Sequence, residues 1–298
     1  MRSLPTYRAL AGPLLCYFRG VRAAALAALI PLLVPSAACT RTPSPLNPAI
    51  HGSIGTTSTG FLTDGVAVAN TGGTRWLRTN ERHYGIPRFV HAIERAAGAV
   101  AREHPGAILV TGDLSAVHGG RISHHGSHAS GRDADLLLYL QTLEGIPIAQ
   151  SPGFLAFDAD GLAWDRFHER YVRFDVAREW ALIRTLVMDD EARVQWIFLS
   201  EVLQAIVVEW ARASGDAPEA ILRAMEVMRQ PRDAEPHDDH VHLRTACTDE
   251  DIAGGCQQTG PERAWWKGSP APVPDSDAEL VIAIVAPLEG NRAARGAP

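Results

Sequence analysis

Apolar side chains at Phe89, Val90, Ile93, Ala97 and Val100 follow Pro87 at steps of one, three and four, which predicts an amphipathic helix over Pro87–Glu103. Val176, Trp180, Ile183 and Val187 repeat that spacing and mark a second helix. Glu201–Ser214 and Pro218–Gln230 read as two more, the latter stopped by Pro231. Between them lie shorter runs of strand character. Ala107–Val110 reads as a buried strand, and Asp135–Leu140 as a second behind a Gly- and His-rich loop. Arg193–Leu199 carries Val194, Trp196 and Phe198 on one side, and His240–Arg244 alternates polar with apolar as a half-buried strand does. Helices and strands alternate without a repeat, and tight hairpin signals are scarce. The expected class is α+β, a mostly antiparallel sheet flanked by helices.

The ends of the chain have a different texture. Arg2, Arg8, Arg19 and Arg22 precede an apolar run from Ala23 to Val34, which closes on Ser36-Ala37-Ala38-Cys39. That run is shorter than the roughly 20 residues of a spanning helix, so residues 1–39 read as a secretory signal rather than a membrane anchor. Cys39 behind small residues resembles a lipobox, in which the thiol is lipidated and tethers the protein to a membrane. Ser36 stands where such a motif has Leu, which leaves plain cleavage as the alternative. Residues 40–52 read as a linker, Pro/Ser/Thr-rich from Thr40 to Pro48, and 53–267 as one catalytic domain. Residues 268–298 form a Pro-rich tail in which Ala278–Ala286 is apolar enough for an edge strand, with the last ten residues read as disordered.

Composition narrows the field. Of 298 residues 46% are apolar and 21% charged, which excludes a disordered polar chain and a polytopic membrane protein. Lys+Arg 28 against Asp+Glu 34 gives a net charge of −6 and argues against nucleic acid as a partner, because phosphate contacts need a basic face. Cys16 and Cys39 belong to the leader. Cys247 and Cys256 remain, with Gly254-Gly255 between them to let the sulfurs meet, and an exported chain encounters an oxidising environment, so a local disulfide is expected. Two free thiols are the plain alternative, and a zinc pair lacks the CxxC spacing.

The chemistry concentrates in histidine. Seven of the twelve fall in two windows: His118, His124, His125 and His128, then His237, His240 and His242. In the first, Gly126-Ser127-His128 lies on a Gly-rich loop that leads into Asp135 at the start of an apolar strand. In the second, His240 and His242 are two apart on a strand, so both rings leave one face while Val241 and Leu243 enter the core. Two imidazoles and a carboxylate can then converge as zinc does in catalytic sites, with a fourth position left to water. Taken singly, each histidine is as well explained by a surface loop or a core stack. No Gly-x-Ser-x-Gly elbow is present, so a serine hydrolase has no support.

Ser53-Ile54-Gly55, Arg82 to Pro87, Gly112-Asp113, Gly119-Gly120, His124 to Asp135, Phe174 to Val187 and Pro236 to Arg244 together resemble the penicillin-insensitive murein endopeptidases, zinc enzymes of the LAS metallopeptidase group. The resemblance implies Zn2+ held by His128, Asp135 and His242. It implies that His240 stands beside the metal as general base or oxyanion donor, and that His125 and His237 orient substrate or share protons. Spacing alone leaves open whether both members of the HxH pair bind one metal. Asp238 and Asp239 are candidates to fix a ligand ring, with a solvated acidic turn as the alternative. The implied substrate is peptidoglycan, cut at its D-alanyl–meso-diaminopimelyl cross-links in the periplasm without a serine that penicillin could acylate. Two other readings stand beside it: a non-catalytic cell-wall-binding lipoprotein, and a LAS carboxypeptidase or amidase acting on another bond. Carboxypeptidases of the group place a Glu base close before the last ligand pair, whereas Glu235 is five residues before His240, which favours the histidine pattern.

Overall fold

Among the described residues five strands of two or three residues come before the first helix, too short for any alternation to announce them: β1 (Ser53–Ile54), β2 (Phe61–Leu62), β3 (Val66–Ala67), β4 (Thr74–Trp76) and β5 (Tyr84–Gly85). β1 pairs with β2 and β3 with β5, both antiparallel. The computed structural model describes residues 50–232 and 234–266. The expected signal segment, the Cys39 lipidation site, nearly all of the linker and the tail with its edge strand lie outside these described residues.

Helix α1 (Pro87–Glu103) has the predicted bounds, with Pro at its first turn where a missing N–H costs nothing. It buries Phe89, Val90, Ile93, Ala97 and Val100, the stripe seen in the sequence. The chain continues through β6 (Leu109–Thr111), β7 (Asp133–Leu137), β8 (Leu140–Gln141), β9 (Pro147–Ile148), β10 (Leu162–Asp165) and β11 (Arg170–Phe174) to α2 (Val176–Met188). After α2 come β12 (Val194–Phe198), α3 (Glu201–Ala213), α4 (Pro218–Val227), β13 (Met228–Arg229), β14 (His240–Thr245) and α5 (Asp249–Ala253). No helix among the described residues is long and apolar enough to cross a membrane.

The central sheet has the order β13-β12-β14-β7-β6-β4, antiparallel through its middle and parallel at both edge pairs. A second sheet, β10-β11-β8-β9, is antiparallel throughout. The α+β class and mostly antiparallel pairing therefore hold. Val241 and Leu243 of β14 and Ala134 and Leu136 of β7 are fully buried and join one apolar cluster with side chains of α1 and α2. The alternate residues of these strands point the other way, to the site.

Several boundaries differ from the reading of the sequence. The strand expected at Asp135–Leu140 is β7 at Asp133–Leu137, because the buried Asp133 pairs with Arg244 across the sheet and its polarity does not mark a strand end. The helix expected to reach Gln230 ends at Val227, since Met228 and Arg229 are drawn into parallel pairing with Ile197 and Phe198. A register shift between Val194 and Trp196 breaks the alternation expected of that strand, so Val194 is buried while Trp196 and Phe198 stay half-buried. The β10–β11 hairpin was not expected at all. Its turn carries no Gly signal; instead buried Asp165 accepts hydrogen bonds from the backbone N–H groups of Phe167 and His168. Cys247 and Cys256 form the expected disulfide around α5. At Gly119 the backbone is left-handed, with φ 68°, and a Cβ would stand 2.3 Å from the Ala129 carbonyl oxygen, so only glycine fits.

Candidate metal centre

Register explains why the two histidine windows meet. In the antiparallel β14–β7 ladder His242 lies opposite Asp135 and Arg244 opposite Asp133, so the period of two puts both carboxylates, the imidazole and the guanidinium on one face. The loop before β7 folds over that face and delivers His128, whose backbone is left-handed at φ 68°. Such a conformation is uncommon for a side chain larger than glycine, and it is held here from both sides. The His128 N–H donates to Asp133 Oδ2 at 3.2 Å, and the Ser115 hydroxyl donates to the His128 carbonyl at 2.5 Å. His124 and His237 share the left-handed conformation, at φ 68° and 56°.

Asp135 is the hub. Its Oδ1 lies 3.3 Å from His128 Nε2, 3.3 Å from His242 Nδ1 and 3.4 Å from His240 Nε2, while Oδ2 lies 3.7 Å from His125 Nδ1. In each of these four rings the other nitrogen is committed. His128 Nδ1 is 2.9 Å from the Leu114 carbonyl, His242 Nε2 3.0 Å from Asp133 Oδ1, His240 Nδ1 2.5 Å from Asp239 Oδ1 and His125 Nε2 3.0 Å from Asp113 Oδ2. A carbonyl or carboxylate oxygen accepts the proton on one side, and the remaining nitrogen is turned toward Asp135. His237 stands against the same group, its ring 4.9 Å from His240, with Nδ1 2.7 Å from the Glu235 carbonyl.

Two triads have donor atoms close enough to hold an ion: His125, His128 and Asp135, and His237, His240 and His242. They touch through Asp135. Burial separates their members, since His128, Asp135 and His242 are buried whereas His125, His237 and His240 border the cleft. His128 Nε2 and Asp135 Oδ1 are both buried and have no hydrogen-bond partner, a costly arrangement that a cation at this point would relieve. The field suits a cation too. Burial opposes charge on His240, yet Asp135 and Asp239 overcome it and push the ring up to about 10. Burial would likewise raise Asp135, but His128, His240 and His242 hold it well below the usual carboxylate range. Asp113, also raised by burial, is brought to about 2 by His125, Asn80 and Arg82. His237 goes the other way, to about 4, through burial and then the neighbouring His240 and His242.

The cleft above the centre has a volume of about 960 Å³ and is walled by Phe154, Phe198, Arg78, Arg82, Arg232 and Arg244 among others. Phe154 meets the His240 ring edge-on at 5.2 Å, and Phe198 meets His242 at 5.3 Å.

All six residues singled out for metal or catalytic roles are thus gathered around one point. His118 is exposed and outside the cluster, and His124 reaches only the cleft rim. Of the two acidic candidates, Asp239 contacts a ring, but that of His240; Asp238 meets the Phe157 N–H through its carbonyl. The carboxylate that orients His242 is Asp133, which the sequence reading overlooked although it sits two before Asp135 on the same strand face. Asp113 stands out in the sequence only as part of the Gly112-Asp113 motif, and Phe154 carries no signal there. The sequence pattern of the penicillin-insensitive murein endopeptidases matches residues 53–264, a span that contains every member of the cluster. A search of curated proteins found no match. Because that pattern covers well over half of the chain and ends within a few residues of the described domain, the chain belongs to the penicillin-insensitive murein endopeptidase family.

Proposed function

We propose that the protein is a zinc-dependent DD-endopeptidase that hydrolyses D-alanyl–meso-diaminopimelyl cross-links of peptidoglycan in the periplasm. The observation that carries this reading is the pair of buried, unpartnered ligand atoms, His128 Nε2 and Asp135 Oδ1, with His242 Nδ1 turned toward the same oxygen. These three residues would hold the ion. When bound, zinc would lower the pKa of a water and polarise the scissile carbonyl.

The remaining roles belong to the chain's own groups. His240 keeps its Nδ1 proton on Asp239, and an ion held by Asp135 would offset the negative charge that otherwise keeps a second proton on Nε2, freeing that nitrogen to take a proton from the attacking water or return one to the leaving amine. Phe154, edge-on to that ring, limits its rotation and shields one side from solvent. His125, anchored on Asp113, offers Nδ1 as a second donor or acceptor. His237 stays neutral near pH 7 and accepts rather than donates at Nε2, its Nδ1 proton being given to Glu235. Among the described residues Arg78 and Arg232 line the cleft without an anion partner, unlike Arg82 and Arg244, which are held by Asp113 and Asp133. They suit the stem-peptide carboxylates that flank this cross-link.

Metal analysis of the purified protein, combined with digestion of purified cross-linked murein, tests the reading. Zinc content near one per chain and release of monomeric muropeptides are expected. Retention on murein without release would instead favour a wall-binding role, and fragments cut at another bond would reassign the specificity.

A further inference from the structure

Four aromatic side chains among the described residues are at least half exposed, and three of them share the β10–β11 hairpin: Trp164 at 50%, Phe167 at 53% and Tyr171 at 57%. Exposed aromatics grouped in this way mark a surface with a partner. The strand register accounts for the grouping. Trp164 lies opposite Tyr171 and Leu162 opposite Arg173, so these four leave one face of the sheet, while Ala163, Val172 and Asp165 are buried on the other. The Trp164 and Tyr171 rings meet edge-on at 5.0 Å. At the turn the Arg166 guanidinium lies 5.0 Å over the Phe167 ring.

The hairpin is also rigid where it needs to be. Buried Asp165 binds the backbone N–H groups of Phe167 and His168 at 3.0 and 3.2 Å and the His168 ring at 2.7 Å, which fixes the turn without glycine. Its tip rests on the wall of the cleft. A Cβ on Gly153 would stand 2.9 Å from the Phe167 ring, so that ring packs on the Gly153 backbone, next to Phe154, which in turn meets His240. The tip of the hairpin that carries the aromatic face is therefore linked to the cleft through Phe167, Gly153 and Phe154.

We infer that the Trp164–Tyr171 face with Arg166 and Arg173 is a binding site for the glycan strand of murein, outside the peptide-cutting cleft. The inference rests on the murein reading given above. Pyranose rings present an apolar C–H face that stacks on exposed aromatic rings, as flat amphipathic ligands do. Such a strand carries carboxylates at intervals, on its stem peptides or, where a stem has been removed, on the lactyl group, and these match the guanidiniums interleaved with the aromatics. A glycan held here would bring the stems that hang from it to the adjacent cleft.

Three measurements on the zinc-loaded protein decide the matter: retention on peptide-free glycan strands prepared from sacculi, turnover of a soluble cross-linked peptide dimer that lacks sugar, and the melting temperature. Trp164→Ala with Tyr171→Ala is expected to lower retention on glycan strands at least tenfold and leave dimer turnover unchanged. Arg173→Glu, a surface change that does not threaten folding, is expected to lower retention about threefold on strands that keep their lactyl carboxylates. Equal retention of wild type and variants, or no retention of the wild type, overturns the inference. Loss of retention on anionic lipid vesicles or of self-association in the variants, without glycan binding by the wild type, overturns it in favour of those occupants. If the wild type binds glycan but cleaves no dimer, the site stands and the endopeptidase reading fails.

Discussion

The His242 Nε2 proton is given to Asp133 Oδ1 across the β14–β7 ladder, 3.0 Å away, and this leaves Nδ1 facing Asp135 Oδ1 at 3.3 Å. A carboxylate in that position selects the tautomer and raises the basicity of the free nitrogen. Asp133→Asn keeps the shape and loses the charge. It is expected to lower zinc affinity by about 10–100-fold, the usual cost of removing such a partner. Competition with a chromophoric chelator measures it, and an unchanged affinity would remove Asp133 from the metal's support.

The two strand histidines should separate in their effects. His242→Ala is expected to lose zinc and activity together. His240→Ala is expected to keep the metal and lose about 10²–10⁴-fold in kcat, the range of a general acid–base contribution. Metal analysis of the two purified variants checks this, and metal loss in both would mean that the ligand set is wrong.

Cys247 and Cys256 close a short loop around α5, whose Asp251 in turn binds Arg88 of α1 at 2.8 Å. Replacing both cysteines by serine is expected to cost about 2–3 kcal/mol, since a closed loop of this length restricts the unfolded chain by that amount. For a domain of this size the melting temperature should fall by about 5–10 °C. An unchanged melting temperature would show that the bridge adds nothing.

Glu179 of α2 is fully buried, with Oε2 accepting the Tyr139 N–H at 3.2 Å and Oε1 without a partner. Burial and then the nearby Asp175 push its carboxyl up to about 8 from an ordinary 4.5. A group whose native pKa lies above its unfolded value stabilises fully below the unfolded one and loses that contribution as pH rises through the native one. Between about pH 4.5 and about 8 the wild type should therefore lose stability with a component of about 1 kcal/mol per pH unit. Glu179→Gln keeps the acceptor and cannot ionise, so it should lack that component. Urea unfolding of both proteins at pH 5, 6, 7 and 8 reads the difference, and parallel curves would mean that Glu179 is already charged in the native state.

Local periodicity carried much of the fold. The stripe from Phe89 to Val100 specified α1 to the residue, and the alternation of His240 to Arg244 placed both imidazoles on one face with Val241 and Leu243 in the core. These patterns are legible because burial of one face repeats every two or 3.6 residues along a single segment. Strands of two residues hold no more than a single such repeat, and the β10–β11 turn is fixed by a buried carboxylate rather than by glycine, so neither left a trace.

The histidine windows marked the site from sequence, but nothing in their spacing says which nitrogen faces a metal or which carboxylate stands behind it. Those choices are made by partners far along the chain. His242 finds Asp133 across 109 residues, and His128 finds the Leu114 carbonyl across 14. Only the register of two antiparallel strands and the fold-back of a loop bring them to hydrogen-bonding distance. Hydrophobic pattern is a property of a segment, whereas proton placement depends on contacts between segments, and that is why tertiary structure alone decided it.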